Sequence, residues 1–200
     1  MAYCHILSNC RMHSYRGRIK MSELNGTEIV KLIGLPETDD RVLDLIELLG
    51  VDVSEIERSE YNDDYTIDLD DELGLMLSFT NTIISPEQEK NSIGGLFLND
   101  IAFYEECTFL PFEIEVEDSL ESIEEKIGLK SNYRDIVDIP ENADEDDIPT
   151  YRLHWVYKEL GWFSIQFFEP TFTELASIHV MPYENPNTES YKRIVKPFER

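Results

Sequence analysis

Basic residues are scarce in this chain of 200 residues, which has 17 Lys and Arg against 42 Asp and Glu and a formal net charge of −25 at pH 7. A surface with this balance repels the phosphates of nucleic acids and anionic membranes, and it attracts basic partners. The composition therefore predicts a basic protein partner, with no nucleic acid and no membrane. The alternative is that the acidity serves solubility alone.

Long apolar runs are also missing. No stretch approaches eighteen apolar residues, so no transmembrane helix is expected. Residues 1–20 contain four basic residues and no acidic one, and they lack the apolar core and cleavage site of a secretory signal. We expect this segment to be a flexible arm or a non-native extension upstream of Met21, and residues 184–200 to form a C-terminal tail.

Cysteine is rare, with three in the chain: Cys4, Cys10 and Cys107. A small odd number without a secretory signal fits a reducing cytoplasm. Cys4 and Cys10, with His5 and His13, have metal-binding side chains, but five residues separate the cysteines, whereas zinc sites typically place two to four residues between them. We predict a cytoplasmic protein with no metal and no cofactor.

Catalytic signatures are absent as well. The sequence has no phosphate-binding glycine loop, no G-x-S-x-G elbow and no His-Glu-x-x-His. Cys107 and His154 form a conceivable nucleophile and base, but the carboxylates of "EECTFLPF" are expected to raise the pKa of Cys107. The run Asp68–Glu72 lacks the spacing of a calcium-binding loop. These absences predict that the protein is not an enzyme.

A helix followed by strands is predicted after Pro36. Apolar residues at helical spacing indicate a helix within "TDDRVLDLIELLG", with Thr38 or Asp39 at its start and Gly50 at its end. "YTIDL" then alternates as a strand, a turn follows at Asp70, Asp71, Glu72 and Gly74, and "LGLMLSF" and "LFLNDIAFY" continue as strands.

The same order of elements recurs in the second half. "EDSLESIEEKIG" is predicted to be a helix with a capping box of Asp118 and Glu121 and an end at Gly128. "YRLHWVY", "WFSIQFF" and "ELASIHVMPY" follow as three strands, and "Glu-Leu-Gly" precedes a strand in both halves. Both faces of "WFSIQFF" are apolar, which favours a central strand covered on both sides over one with an exposed binding face.

This order predicts an α+β fold built from two tandem helix-plus-antiparallel-meander units, residues 21–105 and 106–183. One such unit buries a single sheet face and is marginal alone. We therefore expect the two units to pack into one globular domain or two closely packed subdomains, by sharing a core or by joining sheet edges.

The segments "FLPFEIEVEDSLESIEEKIG" and "IGLPETDDRVLDLIELLG", with the later "IQFFE" strand, resemble immunity proteins of bacterial polymorphic toxin systems, of the contact-dependent or type VI secretion kind. The similarity extends over residues 30–183 and consists of Leu, Pro, Gly and aromatic positions. It implies tandem α/β units akin to the β-lactamase-inhibitor-like fold and no catalytic residues. It also implies stoichiometric binding of a cognate toxin in the cytoplasm.

Acidic segments beside the two predicted hairpins are the candidate partner-binding sites, because complementary charge speeds the capture of a basic protein such as a nuclease toxin. The candidate residues are Asp63, Asp64, Asp70, Asp71, Asp144, Glu145, Asp146 and Asp147. The alternatives are that these segments are merely solvated loops, that the protein is an acidic adaptor for a partner that is not a toxin, or that its carboxylates serve a hydrolase.

Overall fold

The computed structural model describes residues 24–60, 63–83, 88, 95–137, 150–169 and 171–183. Within these ranges the chain is α+β, as predicted. The helices are α1 Gly26–Val30, α2 Asp40–Leu48, α3 Asp70–Leu73 and α4 Leu120–Ile127. The strands are β1 Tyr65–Leu69, β2 Leu75–Thr80, β3 Phe97–Tyr104, β4 Tyr133–Val137, β5 Thr150–Tyr157, β6 Gly161–Phe167 and β7 Leu175–Met181. None of the helices in these ranges is long and apolar enough to cross a membrane.

All seven strands belong to one sheet with the order β1-β2-β3-β7-β6-β5-β4, and every neighbouring pair is antiparallel. β1 to β3 form one meander and β4 to β7 form another. The last strands of the two meanders pair with each other, with Ile101 opposite Val180. The halves are thus joined edge to edge, while their origin from one duplicated unit stays a prediction.

The second meander has four strands, so the prediction of three was wrong. β4 was missed because it lies at the edge of the sheet and carries Arg134 and Asp135 in its middle. Charged residues are common on edge strands because they discourage pairing with other chains. They also remove the apolar alternation from which strands are predicted.

Helix α2 forms where the apolar spacing predicts it. Val42, Leu45 and Ile46 are buried. The Asp39 side chain accepts a hydrogen bond from the Arg41 N–H at 3.0 Å, so it caps the helix start. Gly50 follows the helix with a φ of 68°, a conformation that glycine adopts without strain.

The start of α4 differs from the prediction. The capping residue is Ser119, whose Oγ accepts a hydrogen bond from the Ser122 N–H at 3.3 Å. Asp118 instead accepts hydrogen bonds from Lys126 Nζ at 2.6 Å and from Ser122 Oγ at 2.8 Å. The capping box of Asp118 and Glu121 was therefore wrong, because a lysine two turns into the helix provides a stronger partner for the Asp118 carboxylate.

The main hydrophobic core lies on one face of the sheet, which we call the core face. Buried residues of α1, α2 and α4 join apolar side chains of both meanders in a single cluster. Its members include Ile29, Val42, Ile123, Leu77 and Phe163. Since helices and strands from both halves contribute, neither half retains this core alone.

The segment between the two meanders is fixed to α1. Phe112 has a φ of 58°, in the left-handed region that a bulky residue rarely adopts. Its backbone N–H donates a hydrogen bond to Thr27 Oγ1 at 2.6 Å, and its ring packs edge-on against Phe163 at 5.5 Å between centroids. One polar and one aromatic contact thus hold this strained backbone in place.

The two Glu-Leu-Gly segments have similar local roles. Gly74 and Gly161 both have positive φ, at 62° and 83°, and each leads directly into a strand. The predicted turn at residues 70–74 is more regular than expected, because Asp70–Leu73 forms one helical turn. Both glycines also lie close to the backbone of another segment, at Cys107 and Met181 respectively.

Strand β6 is central and buried on both faces, which confirms the reading of its apolar pattern. Phe163, Ile165 and Phe167 join the main core. On the opposite side, which we call the second face, Trp162 and Val156 form a small buried cluster. Trp162 Nε1 donates a hydrogen bond to His154 Nδ1 at 3.0 Å.

Candidate interaction surface

The predicted partner-binding residues of the first half lie in two separate places. Asp63 and Asp64 precede β1, whereas Asp70 and Asp71 begin α3 directly after it. Because β1 is extended, the two pairs are ~20 Å apart along the strand. Asp144, Glu145, Asp146 and Asp147 lie outside the described residues.

Asp64 has a structural role at the start of β1. Its Oδ1 accepts a hydrogen bond from the Asn81 N–H at 2.8 Å, across the hairpin. Its carbonyl oxygen accepts a second hydrogen bond from the Ser59 N–H at 2.8 Å. Asp64 thus ties together three segments of the chain, and this end of the hairpin is shaped by internal contacts.

A continuous row of side chains crosses the second face from one edge of the sheet to the other. The paired positions are Asp68, Met76, Ala102, His179, Ser164, His154 and Tyr133, in the order of the strands. Directly paired residues share a face, and six strand spacings make the row ~29 Å long. Polar side chains therefore stand at both ends and in the middle of this face.

Carboxylates are concentrated at the β1 end of this row, around Tyr104. The pKa of Tyr104 is raised to about 12, mainly by burial and in addition by the nearby carboxylates of Asp70, Asp68 and Asp100. We call Asp68, Asp70, Asp100 and Glu106 the acidic patch. No ion pair between described residues involves Asp68, Asp70 or Glu106.

The crowding of carboxylates affects the pKa of Asp70. Partial burial raises its pKa, and repulsion from Asp68, Glu106, Asp71 and Glu72 raises it further. Since like charges disfavour one another's ionised forms, these neighbours oppose the ionisation of Asp70 in the folded protein. A cation placed among these carboxylates would relieve the repulsion.

Asp100 joins the patch from β3. Its Oδ1 lies 3.6 Å from His179 Nδ1. The same oxygen is shielded from solvent and accepts no hydrogen bond within the described structure. The His179 ring is edge-on to Tyr104, with 6.4 Å between centroids. Asp100, His179 and Tyr104 thus form a connected group where the two meanders join.

The half of the second face near β5 differs from the β1 end in the charge of its side chains. Arg152, Gln166, Ser177 and Tyr104 pair in that order across four strands, so a guanidinium stands three strands from the Tyr104 ring. Arg152 Nε is buried and makes no hydrogen bond to any described residue. The face is therefore asymmetric, with carboxylates on the β1 side and a basic residue on the β5 side.

The structure separates the conceivable nucleophile and base. Cys107 lies in the main core, and His154 lies on the second face against Trp162. The pKa of Cys107 is raised to about 11 by burial. The direction was predicted, but the predicted cause, neighbouring carboxylates, was wrong. Across the described ranges, no group of three or more His, Cys, Asp or Glu side chains is arranged to hold a metal ion.

Sequence reasoning identified Asp70 and Asp71 as candidate binding residues but did not identify Asp68, Asp100 or Glu106. Asp100, Tyr104 and His179 meet because β3 pairs with β7, and these strands are far apart in the sequence. Asp68 lies in the predicted strand "YTIDL", where it alternates with buried Ile67 and Leu69, but it was not among the candidate binding residues. That alternation was the available signal that Asp68 faces away from the core.

Comparison with known proteins adds no relative to this picture. No protein-family model matches the chain, and no curated protein or solved structure matches it significantly.

Proposed function

We propose that this chain is an immunity protein, which binds a cognate basic bacterial toxin and neutralises it by stoichiometric occlusion. The sequence resemblance suggests the class of protein. The observation that carries the proposal is the acidic patch, where Asp68, Asp70 and Glu106 stand together without an ion-pair partner among the described residues.

The electrostatic repulsion within the acidic patch supports a binding role. The carboxylates of Asp68 and Glu106 repel the Asp70 carboxylate and oppose its ionisation in the folded protein. Natural proteins commonly keep destabilising arrangements where function requires them. A basic partner would convert this repulsion into attraction on binding.

Electrostatics also favours a partner that must be captured quickly. Complementary charge raises association rate constants toward ~10⁸–10⁹ M⁻¹s⁻¹ at low salt. A nuclease toxin has a basic surface because its substrate is polyanionic. A chain with a net charge of −25 would attract such a protein over long distances at low ionic strength.

The test is co-expression of the full chain with the protein encoded immediately upstream of its gene. We expect the upstream protein to arrest growth alone, the chain to restore growth, and the two to co-purify in a 1:1 complex. A stable complex with an upstream protein that is not toxic would favour the adaptor alternative. If the chain neither restores growth nor forms a complex with the upstream protein, the proposed immunity function is refuted.

A further inference from the structure

We infer that His154 and Trp162 form a pH-sensitive switch on the second face. The switch is closed while the His154 imidazole is neutral and accepts the hydrogen bond of the Trp162 indole, and it opens when the imidazole gains a proton. Opening frees the indole and loosens the β5 side of the second face, while the core face stays packed. This device goes beyond the proposed function, and neither depends on the other.

The hydrogen bond between these two side chains determines where the imidazole carries its proton. Trp162 Nε1 lies 3.0 Å from His154 Nδ1, and an indole N–H is a donor and never an acceptor. His154 Nδ1 must therefore accept, which leaves the proton of the neutral ring on Nε2. An imidazolium has a hydrogen on both nitrogens. It would point one N–H at another and could not keep this bond.

Both partners are shielded from solvent. His154 is 6% exposed and Trp162 is 3% exposed, and the two rings meet edge-on with 5.7 Å between centroids. Water therefore cannot replace the lost partner while both rings stay in place, and a buried donor without an acceptor is costly. Protonation of His154 is consequently coupled to movement of a ring and not only to an exchange of hydrogen bonds.

The Trp162 indole can move without opening the main core. Trp162 and Val156 form a small cluster on the second face that is separate from the core under the helices. Three partly buried side chains complete the cluster, and they come from the edge strand β4 and from the end of β7: Tyr133, Met181 and Tyr183. A change in this cluster therefore affects one end of the second face and leaves the packing of α1, α2 and α4 intact.

Trp155 provides an internal reference, because its indole donates to a group that does not titrate. It is the other tryptophan of the chain, and its Nε1 donates a hydrogen bond to the Leu129 carbonyl oxygen at 3.0 Å. Trp155 lies in the main core. The two indole N–H groups thus differ in their acceptors, and protonation of a histidine should affect that of Trp162 alone.

His154 has few charged neighbours on the second face of the described strands. Arg152, two residues earlier on the same strand, adds a positive charge that disfavours a second one nearby, and Asp135 holds the register position opposite Arg152. His179 lies in the same row two strands away, at ~10 Å. The titratable and charged groups around His154 are therefore Tyr133 and Asp135 on β4, Arg152 on β5 and His179 on β7.

The first experiment follows the two indole N–H signals of the ¹⁵N-labelled full chain from about pH 8 to about pH 5, the range in which histidines commonly change charge. The chain stays negatively charged there, since its isoelectric point is about 4.3. We expect the Trp162 signal to move with the same midpoint as the His154 ring signals, and the Trp155 signal to stay. A fixed Trp162 signal during His154 titration, or a His154 ring that stays neutral to pH 5, would overturn the inference.

Solvent exchange of the same indole N–H groups measures the opening itself. Loss of one ordinary hydrogen bond should speed exchange at Trp162 about fivefold relative to Trp155 once His154 is protonated. Trp155 corrects for the direct effect of pH on exchange chemistry. An unchanged ratio of the two rates across the His154 titration would show that the indole stays in place, which contradicts a switch.

Substitutions then identify the sensor. His154→Asn places an amide oxygen near the position of Nδ1, so it accepts the indole hydrogen bond at every pH, and the response of Trp162 should disappear. His179→Gln is the matched control, because it removes the other histidine of the row and should leave the response unchanged. A response that survives His154→Asn, or one that His179→Gln abolishes, would refute the assignment to His154. The titration of the unmodified chain tests the switch even if a variant fails to fold.

Discussion

Gly74 and Cys107 approach each other so closely that a Cβ at residue 74 would lie 2.6 Å from the Cys107 amide nitrogen and 3.0 Å from its Cα. Both contacts are to backbone, which cannot rotate away as a side chain can. The adjacent Gly74 carbonyl accepts a hydrogen bond from the Tyr104 N–H at 2.9 Å. The start of β2 is therefore held against the turn after β3.

Gly74→Ala should be strongly destabilising. A left-handed alanine costs about 1–2 kcal/mol, and the clash with Cys107 should add about 1–3 kcal/mol. Gly128→Ala is the matched control, because Gly128 has a φ of 75° but nothing within 4 Å of the added Cβ. Urea unfolding would measure both, and equal losses would show that only the backbone conformation matters.

Thr27→Val should destabilise the junction between α1 and the segment that links the meanders. The substitution keeps the shape of the side chain but leaves the Phe112 N–H without its acceptor, at a cost of about 1–3 kcal/mol. Thr27→Ser retains the hydroxyl and should recover most of that loss. If serine and valine are equally destabilising in urea unfolding, the hydrogen bond is not the cause.

Asp118→Asn should make stability less dependent on pH. Burial alone would raise the pKa of Asp118, but hydrogen bonds from Lys126, the Glu115 N–H and Ser122 outweigh it and lower the pKa. A lowered pKa means that the carboxylate stabilises the fold above its ordinary pKa of about 3.9, and that this contribution is lost as the pH falls through the native value.

At pH 7 we expect Asp118→Asn to lower the free energy of unfolding by about 1–3 kcal/mol. The difference from the wild type should shrink below about pH 4. Glu117→Gln changes the adjacent exposed residue and should have little effect at either pH. A loss from Asp118→Asn that is the same at pH 7 and pH 3 would contradict an ionic contribution.

Asp70→Asn should have the opposite effect on stability from Asp118→Asn, because it should stabilise the isolated protein. The pKa of Asp70 is raised, so ionisation opposes folding above the native pKa, and this penalty disappears as the pH falls through it. Because Asp70 is exposed, the gain at pH 7 should be below about 1 kcal/mol and should diminish in high salt.

Thermal unfolding of Asp70→Asn at low and high salt would measure this gain. Asp44→Asn on α2 provides a control for general charge removal. If Asp44→Asn stabilises as much as Asp70→Asn, the repulsion is spread over the whole surface and not concentrated in the acidic patch.

Local features of the fold were predictable because local physics determines them. The spacing of Val42, Leu45 and Ile46 predicts α2, and Asp39 and Gly50 mark its ends. The alternation around Ile67 and Leu77 predicts the first hairpin. In each case the signal and the structure lie within a few residues of each other.

The strand order and the acidic patch were not predictable in the same way. The pairing of Tyr104 with Ser177 joins strands from different halves, and no local pattern specifies which edges meet. The partners of Asp118 were missed for a related reason, since Lys126 reaches it from two helical turns away. Contacts that depend on tertiary packing can override a local capping preference.

The pairing of β3 with β7 also determines when the sheet can be completed during co-translational folding. β3 is synthesised long before its neighbour, because β4, β5 and β6 must be made first. Until β7 emerges, the C-terminal half of β3 is an unpaired edge rich in apolar residues, the kind of surface that promotes association between nascent chains. A slow step in translating the second meander should therefore lower the yield of folded protein more than the same delay placed after Met181.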